Sequence, residues 1–235
     1  MTYNYNMYKD RDSTTRASAE RIVSVLLDIF LDISSVLDIG CGTGTFLSIF
    51  EQRGINDVLG VEGPWVKDEY LEINGAKLIR VNLVKQFPVI NRKFDIALCL
   101  EVGEHLPETF SRSLVDFLCE KSDLVLFSAA IPHQGGEGHI NEQWQSYWVE
   151  LFMINGFELN DCIRPIIWDD NEIMYWYRQN MLIFEKRRGG GDNSTLRNVS
   201  HLINLVHPQS YLKKISKPTS LQSRLLRKLL LFLGR

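Results

Sequence analysis

Short apolar runs alternate with amphipathic stretches from about residue 17 to residue 185. Ile22, Val25, Leu26, Ile29 and Phe30 recur three and four apart, which predicts a helix over 17–30 with one face on a core. Ser13, Thr14, Thr15 and Arg16 precede it and include cap residues. The runs at 35–39, 57–61, 77–81, 94–100 and 123–128 are short and apolar. Such runs fit strands buried on both faces of a parallel sheet. Helices are predicted near 44–53, 65–73, 109–120 and 141–154, the last ended by Gly156. Phe157-Glu158-Leu159 and Met181-Leu182-Ile183-Phe184 read as two closing strands. The alternation predicts an α/β fold, a mostly parallel sheet with helices on both faces and right-handed crossovers.

One junction carries chemistry. Val36-Leu37-Asp38-Ile39 runs directly into Gly40-Cys41-Gly42-Thr43-Gly44, and a helix follows. The glycines permit a sharp turn and close approach of a ligand to the backbone. Val58-Leu59-Gly60-Val61-Glu62 then places an acid about 20 residues beyond the loop, the spacing at which a carboxylate reaches a ribose diol. Its two acceptor oxygens match two vicinal hydroxyl donors. Asp38-x-Gly40-x-Gly42-x-Gly44 resembles the first motif of class I S-adenosylmethionine (SAM) methyltransferases, and the fold implied is their Rossmann-like one. In that family the acid neighbours the cationic methionine end of the cofactor. Family members often hold the adenine amino group with an acid after the third strand; this chain has Asn82 there, whose carbonyl oxygen can accept the same bond. The resemblance assigns SAM to Asp38, Gly40, Cys41, Gly42, Gly44, Glu62, Asn82, Leu83 and Glu101.

Charge divides the chain. Residues 1–185 hold 15 Lys+Arg against 28 Asp+Glu, a net −13; residues 186–235 hold 11 Lys+Arg against Asp192 alone, a net +10. The acidic body disfavours nucleic-acid backbone as its partner. Arg187 to Ser194, with three glycines, has linker composition. Leu221, Leu225, Leu229 and Leu233 then recur at spacing four, with Arg224, Arg227 and Lys228 between them. The division expected is a methyltransferase domain over 1–185 and a basic linker with an amphipathic tail over 186–235. That tail is a candidate for peripheral contact with a membrane. The polar, tyrosine-bearing start shows no signal-peptide pattern, and no apolar run is long enough to span a bilayer, so a cytoplasmic location is expected. Cys41, Cys99, Cys119 and Cys162 lack Cys-x-x-Cys spacing and read as reduced packing residues.

A narrower likeness lies past the cofactor half. Phe127-Ser128-Ala129-Ala130-Ile131-Pro132, Gly135-Gly136 with His139-Ile140-Asn141-Glu142-Gln143-Trp144, and Trp176-Tyr177-Arg178-Gln179-Asn180 form its signature. These blocks resemble methyltransferases of bacteria and large viruses that accompany glycosyltransferases in surface-polysaccharide synthesis. The likeness implies an antiparallel hairpin at the sheet edge, a sugar or glycan acceptor methylated on oxygen, and a glycosyltransferase as a partner.

Methyl transfer to a hydroxyl needs alignment of the two centres and removal of a proton. Candidate groups beyond the strand ends are Glu101, Glu104, His105, His133 and His139, with His105, His139 and Glu104 the catalytic set. Trp144, Tyr147, Trp148, Trp168, Trp176 and Tyr177 offer faces for sugar stacking or for packing. Glu101, Glu104, His105 and a later His also resemble the metal set of enzymes that methylate the terminal ribose 2′-hydroxyl of small RNAs, with Mg²⁺ or Mn²⁺ as the ion. A non-catalytic SAM-binding scaffold is the reading from another class.

Overall fold

β1 (Ser35–Ile39) sits at the centre of the sheet, with Val36, Leu37 and Ile39 fully withdrawn from water. The computed structural model describes residues 5–187 and 203–215; the tail segment 221–233 and nearly all of the linker lie outside them. On one side of β1 lie β2 (Asp57–Glu62) and β3 (Leu78–Arg80). On the other lie β4 (Ile96–Leu100), β5 (Leu124–Ser128), β7 (Leu182–Lys186) and β6 (Phe157–Asn160), giving the order β3-β2-β1-β4-β5-β7-β6. The first five strands are parallel, and β7 runs antiparallel to both β5 and β6. The chain steps outward through β2 and β3, then returns to the other side of β1. This reversal opens a crevice beyond the carboxyl ends of β1 and β4.

Helices cover both faces. α1 (Tyr5–Ile29) and α2 (Thr45–Gln52) lie with Ile22, Leu26, Leu47 and Phe50 in one apolar cluster. α3 (Ser111–Lys121) and α4 (Gln145–Ile154) supply Leu114, Leu118, Trp148 and Phe152 to the other. Phe152 stacks on Phe184 of β7 at 3.8 Å between ring centroids.

Three expectations need correction. α1 begins well before Ala17, so Ser13 to Arg16 are interior rather than caps. Ser18 Oγ donates back to Thr14 O at 2.9 Å, an arrangement that seats a hydroxyl inside a helix. The stretch 65–73 is no helix; it holds a single 3-10 turn, Asp68–Tyr70, and Glu72 N donates to Thr43 O at 2.9 Å. That bond draws Glu72 beneath the start of α2, where Thr45 and Ser48 donate to its carboxylate and Arg16 of α1 pairs with it. A continuous helix would carry Glu72 away from these partners. α4 starts at Gln145, not 141, because Asn141 is held extended: its N–H donates to Glu104 O and its amide to Ser111 Oγ. β6 and β7 pair antiparallel at the sheet edge, as expected. Residues 161–181 intervene and include α5 (Arg164–Ile167) and α6 (Tyr175–Asn180).

Residues 203–207 and α7 (Pro208–Ile215), on the tail side of the expected division, lie against the body. Ile203 is buried, and its carbonyl accepts from Arg164 Nη1 at 3.0 Å. Asn204 Oδ1 accepts from Ser146 N, and Leu205 O from Gln145 Nε2. All four cysteines are free thiols. Among the described residues no helix is long and apolar enough to cross a membrane.

Phe152→Ala would remove a fully buried ring and its stack on Phe184. It should cost about 3–5 kcal/mol. Urea unfolding should show this as a lower midpoint with an unchanged slope.

Candidate active site

The glycine loop leaves β1 under two restraints. Gly40 N and Cys41 N both donate to Val61 O of β2, at 2.7 and 3.2 Å. Gly40 and Gly44 have φ of +75° and +86°, and a Cβ at either would strike Val102 or Ile73. Gly42, at φ +59°, would meet nothing within 4 Å, because it faces the crevice. Tethered backbone on one side and open space on the other is what close ligand approach requires.

The crevice is a cavity of about 420 Å³, a size suited to a small molecule or cofactor. Asp38, Gly40, Cys41, Gly42, Glu62, Asn82, Leu83 and Glu101 all line it. Gly44 lies just behind, as the N-cap of α2. Asp38 is 3% exposed. Burial, and then the charge of Glu62, raise its carboxyl from 3.8 to about 8. A cation brought beside it would reverse that shift. Glu62 Oε2 accepts from Gly42 N at 2.8 Å and Oε1 from Gly63 N at 2.7 Å. The acid at the tip of β2 therefore also clamps the glycine loop, and each oxygen keeps acceptor capacity. Asn82 Oδ1 accepts from Val84 N at 3.0 Å, an Asx turn. This directs part of its carbonyl capacity inward and makes the amide NH₂ its donor.

The other wall comes from the end of β4. Glu101 has φ +55°, a left-handed conformation costly for a residue with a Cβ. Its N–H donates to Ser128 O at 2.9 Å, which fixes the turn. Its carboxylate accepts from Asn180 Nδ2 at 3.2 Å and Gln134 Nε2 at 3.4 Å. Glu104, in the 3-10 turn Gly103–His105, is fully buried, and neither carboxyl oxygen has a hydrogen-bond partner. Burial, then the neighbouring Glu101 charge, push its carboxyl well above the ordinary range. Trp148 pins the same turn, since its ring leaves no room for a Cβ at Gly103.

His105 lines the cavity, and its Nδ1 lies 3.3 Å from Gly138 O. A carbonyl there selects the Nδ1–H tautomer and makes Nε2 the basic nitrogen. His139 packs edge-on against His105, ring centroids 4.9 Å apart. Its Nδ1 lies 3.0 Å from Glu142 Oε1, and its opposite edge lies against Gly136. Glu142 also accepts from His133 N and Gly135 N, both at 2.7 Å, so one carboxylate shapes the whole 133–139 loop. The two histidines are thus distinguished: His105 faces the cleft and His139 stands behind it. Ligand atoms of Glu104, His105 and His139 lie within 4.8 Å of one another, close enough to share a metal ion.

The stacking candidates separate as well. Tyr177 reaches the cavity, Trp148 is core, and Trp168 packs on His207. Trp65 was not singled out by sequence pattern, yet it lines the cleft, covers Gly63 and bonds to Glu62. An aromatic three residues past the acid at a strand tip was the available signal. Thr15, from α1, closes the same cavity.

Residues 11–157 match the family described as a methyltransferase domain. The sequence has no significant match among curated proteins. DesVI of Streptomyces venezuelae has a similar structure, at TM-score 0.57 and 14% identity over 80% of this chain and 100% of that one. The sugar N-methyltransferase KedS8 of Streptoalloteichus aligns at TM-score 0.58 and 14% identity, over 80% of this chain and 94% of that one. The magnesium protoporphyrin IX methyltransferase of Synechocystis, solved with bound SAM, aligns at TM-score 0.56 and 17% identity, over 79% and 86%. At such identities the structures share a fold. With the family match spanning more than half of its length, the chain belongs to the methyltransferase-domain family.

Proposed function

We propose that the protein transfers a methyl group from SAM to a hydroxyl of a sugar acceptor. The observation that carries the reading is the presence in one cleft of a buried acid without a cation, Asp38, and a histidine with a fixed tautomer, His105. Bound there, SAM supplies an electrophilic methyl group and a cationic ammonium. Asp38 suits the ammonium, Glu62 the ribose hydroxyls, and Trp65 a flat ring face. A neutral amine brings its own lone pair to a methyl donor. A hydroxyl is a poor nucleophile near neutral pH and needs a base in reach, which His105 Nε2 provides. His139, itself held by Glu142, packs against His105 and fixes the position of its ring. The sugar class is supported by the sugar enzyme among the similar folds, and by the signature blocks over 127–180. Those blocks also support a place in surface-polysaccharide synthesis beside a glycosyltransferase.

A second reading is favoured by one cluster. Glu104 is buried and unpartnered, and it converges with His105 and His139. A divalent cation would satisfy both carboxyl oxygens, and a carboxylate with two imidazoles admits Mn²⁺ more readily than Mg²⁺. In that case these three residues hold the ion, which would lower the pKa of a vicinal hydroxyl, as on a terminal ribose of RNA. Activity should then disappear in chelator and return with Mn²⁺. Full turnover in chelator retires this reading.

Labelled SAM offered with a panel of saccharides, RNA ends and small amines tests the proposal directly. Label should pass to a saccharide hydroxyl. Transfer only to amines, or SAM binding with no transfer to any acceptor, as a scaffold would show, contradicts it. His105→Ala should lower kcat by about 10²–10⁴ while SAM affinity holds. Near-normal turnover by this variant removes His105 as base.

Asp38→Asn separates binding from stability. The raised carboxyl means that the unligated fold binds a proton which the unfolded chain releases between about pH 4 and 8. Unligated stability therefore falls as pH rises through that window. Asp38→Asn should escape this loss, so its melting advantage should grow up to about pH 8. The same variant should weaken SAM binding by about 2–5 kcal/mol, because the ammonium loses its buried partner. In the wild type, affinity should rise with pH until Asp38 is ionised. Calorimetric titration across pH reads both effects, and a pH-independent affinity equal to that of the variant sinks the assignment.

A further inference from the structure

Residues 203–215 are fastened to the body mainly by polar bonds. Only Ile203 and His207 are buried in this segment, and Tyr211, Leu212 and Ile215 of α7 are exposed. A unit with so little buried apolar surface opens at a lower free energy than the core beside it. Whether it stays closed therefore depends on its hydrogen bonds, and those converge on His207.

The His207 N–H donates to Gln179 Oε1 at 2.9 Å. Its ring packs on Trp168, centroids 4.7 Å apart, with Nε2 3.0 Å from Trp168 O. Nδ1 lies 3.2 Å from Gln209 N and accepts from it, so the imidazole caps α7, with Pro208 in the first helical position. Both ring bonds form together only in the neutral imidazole with its proton on Nε2. A second proton would lie on Nδ1 and face the Gln209 N–H, donor against donor, at the positive end of a helix. The charged groups facing the ring are Arg178 of α6 and Asp169, just after α5. Arg178 Nη1 donates to the same Trp168 carbonyl at 3.1 Å, and Nη2 to Gln209 Oε1 at 2.6 Å. From α7, Lys213 and Lys214 turn instead to the Tyr175 ring and to His133 O. Burial, with the Arg178 charge, holds the imidazole below its ordinary 6.5, against the opposing pull of the Trp168 carbonyl and Asp169.

We propose that residues 203–215 form a latch on the wall of the candidate active site, closed while His207 is neutral and opened when its ring takes up a proton. Opening reaches the cleft by two routes. Gln179 loses the donor that orients it, and Gln179 bonds to Gln134 and Asn180, whose amides hold the Glu101 carboxylate. Lys214 leaves His133 O, at the start of the loop that carries His139. Above about pH 6.5 the latch has its full strength. Below that, the open form binds a proton that the closed form takes only at lower pH, so closure weakens across the interval. The proposal stands apart from the choice of methyl acceptor, because its readout is backbone protection.

The test is hydrogen–deuterium exchange of the full chain at about pH 7.5 and about pH 5, on either side of the histidine range, with the intrinsic change in exchange rate divided out. Peptides within 203–211 should lose protection by about fivefold or more at the lower pH, while β1, β4 and β5 keep theirs. His207→Gln keeps an amide for the Trp168 carbonyl but takes up no proton, so its protection should not change with pH. Should that variant fail to hold the segment at either pH, the ring-nitrogen resonances of the wild type decide. The His207 signals, identified by their absence from the variant, should be those of the Nε2–H tautomer and should titrate below 6.5. Equal protection of 203–211 at both pH values overturns the proposal. So does a pH dependence that survives in His207→Gln, a loss of protection shared by the whole chain, or a His207 that titrates at 6.5 or above with the segment still protected.

Discussion

Four carboxyl groups crowd the ends of β1, β2 and β4, two of them buried and two half-buried. These are Asp38, Glu62, Glu101 and Glu104, and among the described residues no Lys or Arg pairs with any of them. Burying a charge without a partner is among the costliest arrangements a fold contains. Here the cost is met in three ways. Glu62 and Glu101 accept hydrogen bonds, from backbone N–H groups at the glycine loop and from the amides of Gln134 and Asn180. Asp38 and Glu104 shift toward the protonated form. Satisfaction of the remainder falls to whatever positive charge enters the crevice. The unligated fold is therefore less stable near neutral pH than its core would permit, and the deficit is concentrated where ligands bind. The glycine loop, the strained turn at Glu101 and the position of Trp65 are all consequences of seating acids at the strand tips.

Much of this was legible in the sequence because local signals and tertiary demands agree there. β1 is apolar on both faces and is followed by residues that tolerate positive φ, so strand, loop and helix were placed within a residue or two. Where tertiary bonds override local preference, legibility ends. The helical pattern over 65–73 fails because Glu72 serves Thr45, Ser48 and Arg16. Residues 141–144 stay extended because Asn141 serves the Gly103 turn. Glu142 was visible as part of a block, but its reason was not. Three elements of one loop, His133 N, Gly135 N and His139 Nδ1, converge on its carboxylate. No linear spacing announces such convergence.

Residues 203–209 show the limit from the other side. They hold no Lys, Arg, Asp or Glu and belong to the expected tail by position alone, yet His207 N donates to Gln179 Oε1 at 2.9 Å, in the interior. Gln179 Nε2 donates to Gln134 Oε1 and to Asn180 Oδ1, and Asn180 and Gln134 both donate to Glu101. A chain of amides thus runs from a segment near residue 207 to the acid at the end of β4. Amides suit this task because each donates and accepts, so that one orientation satisfies every link while a flipped amide breaks two. The Gln179-Asn180 pair owes its place in α6 to this demand rather than to helix propensity. Two sequence-distant segments, 133–135 and 203–209, are held in register by it, and the carboxylate of Glu101 is aimed by groups that themselves lie outside the cleft.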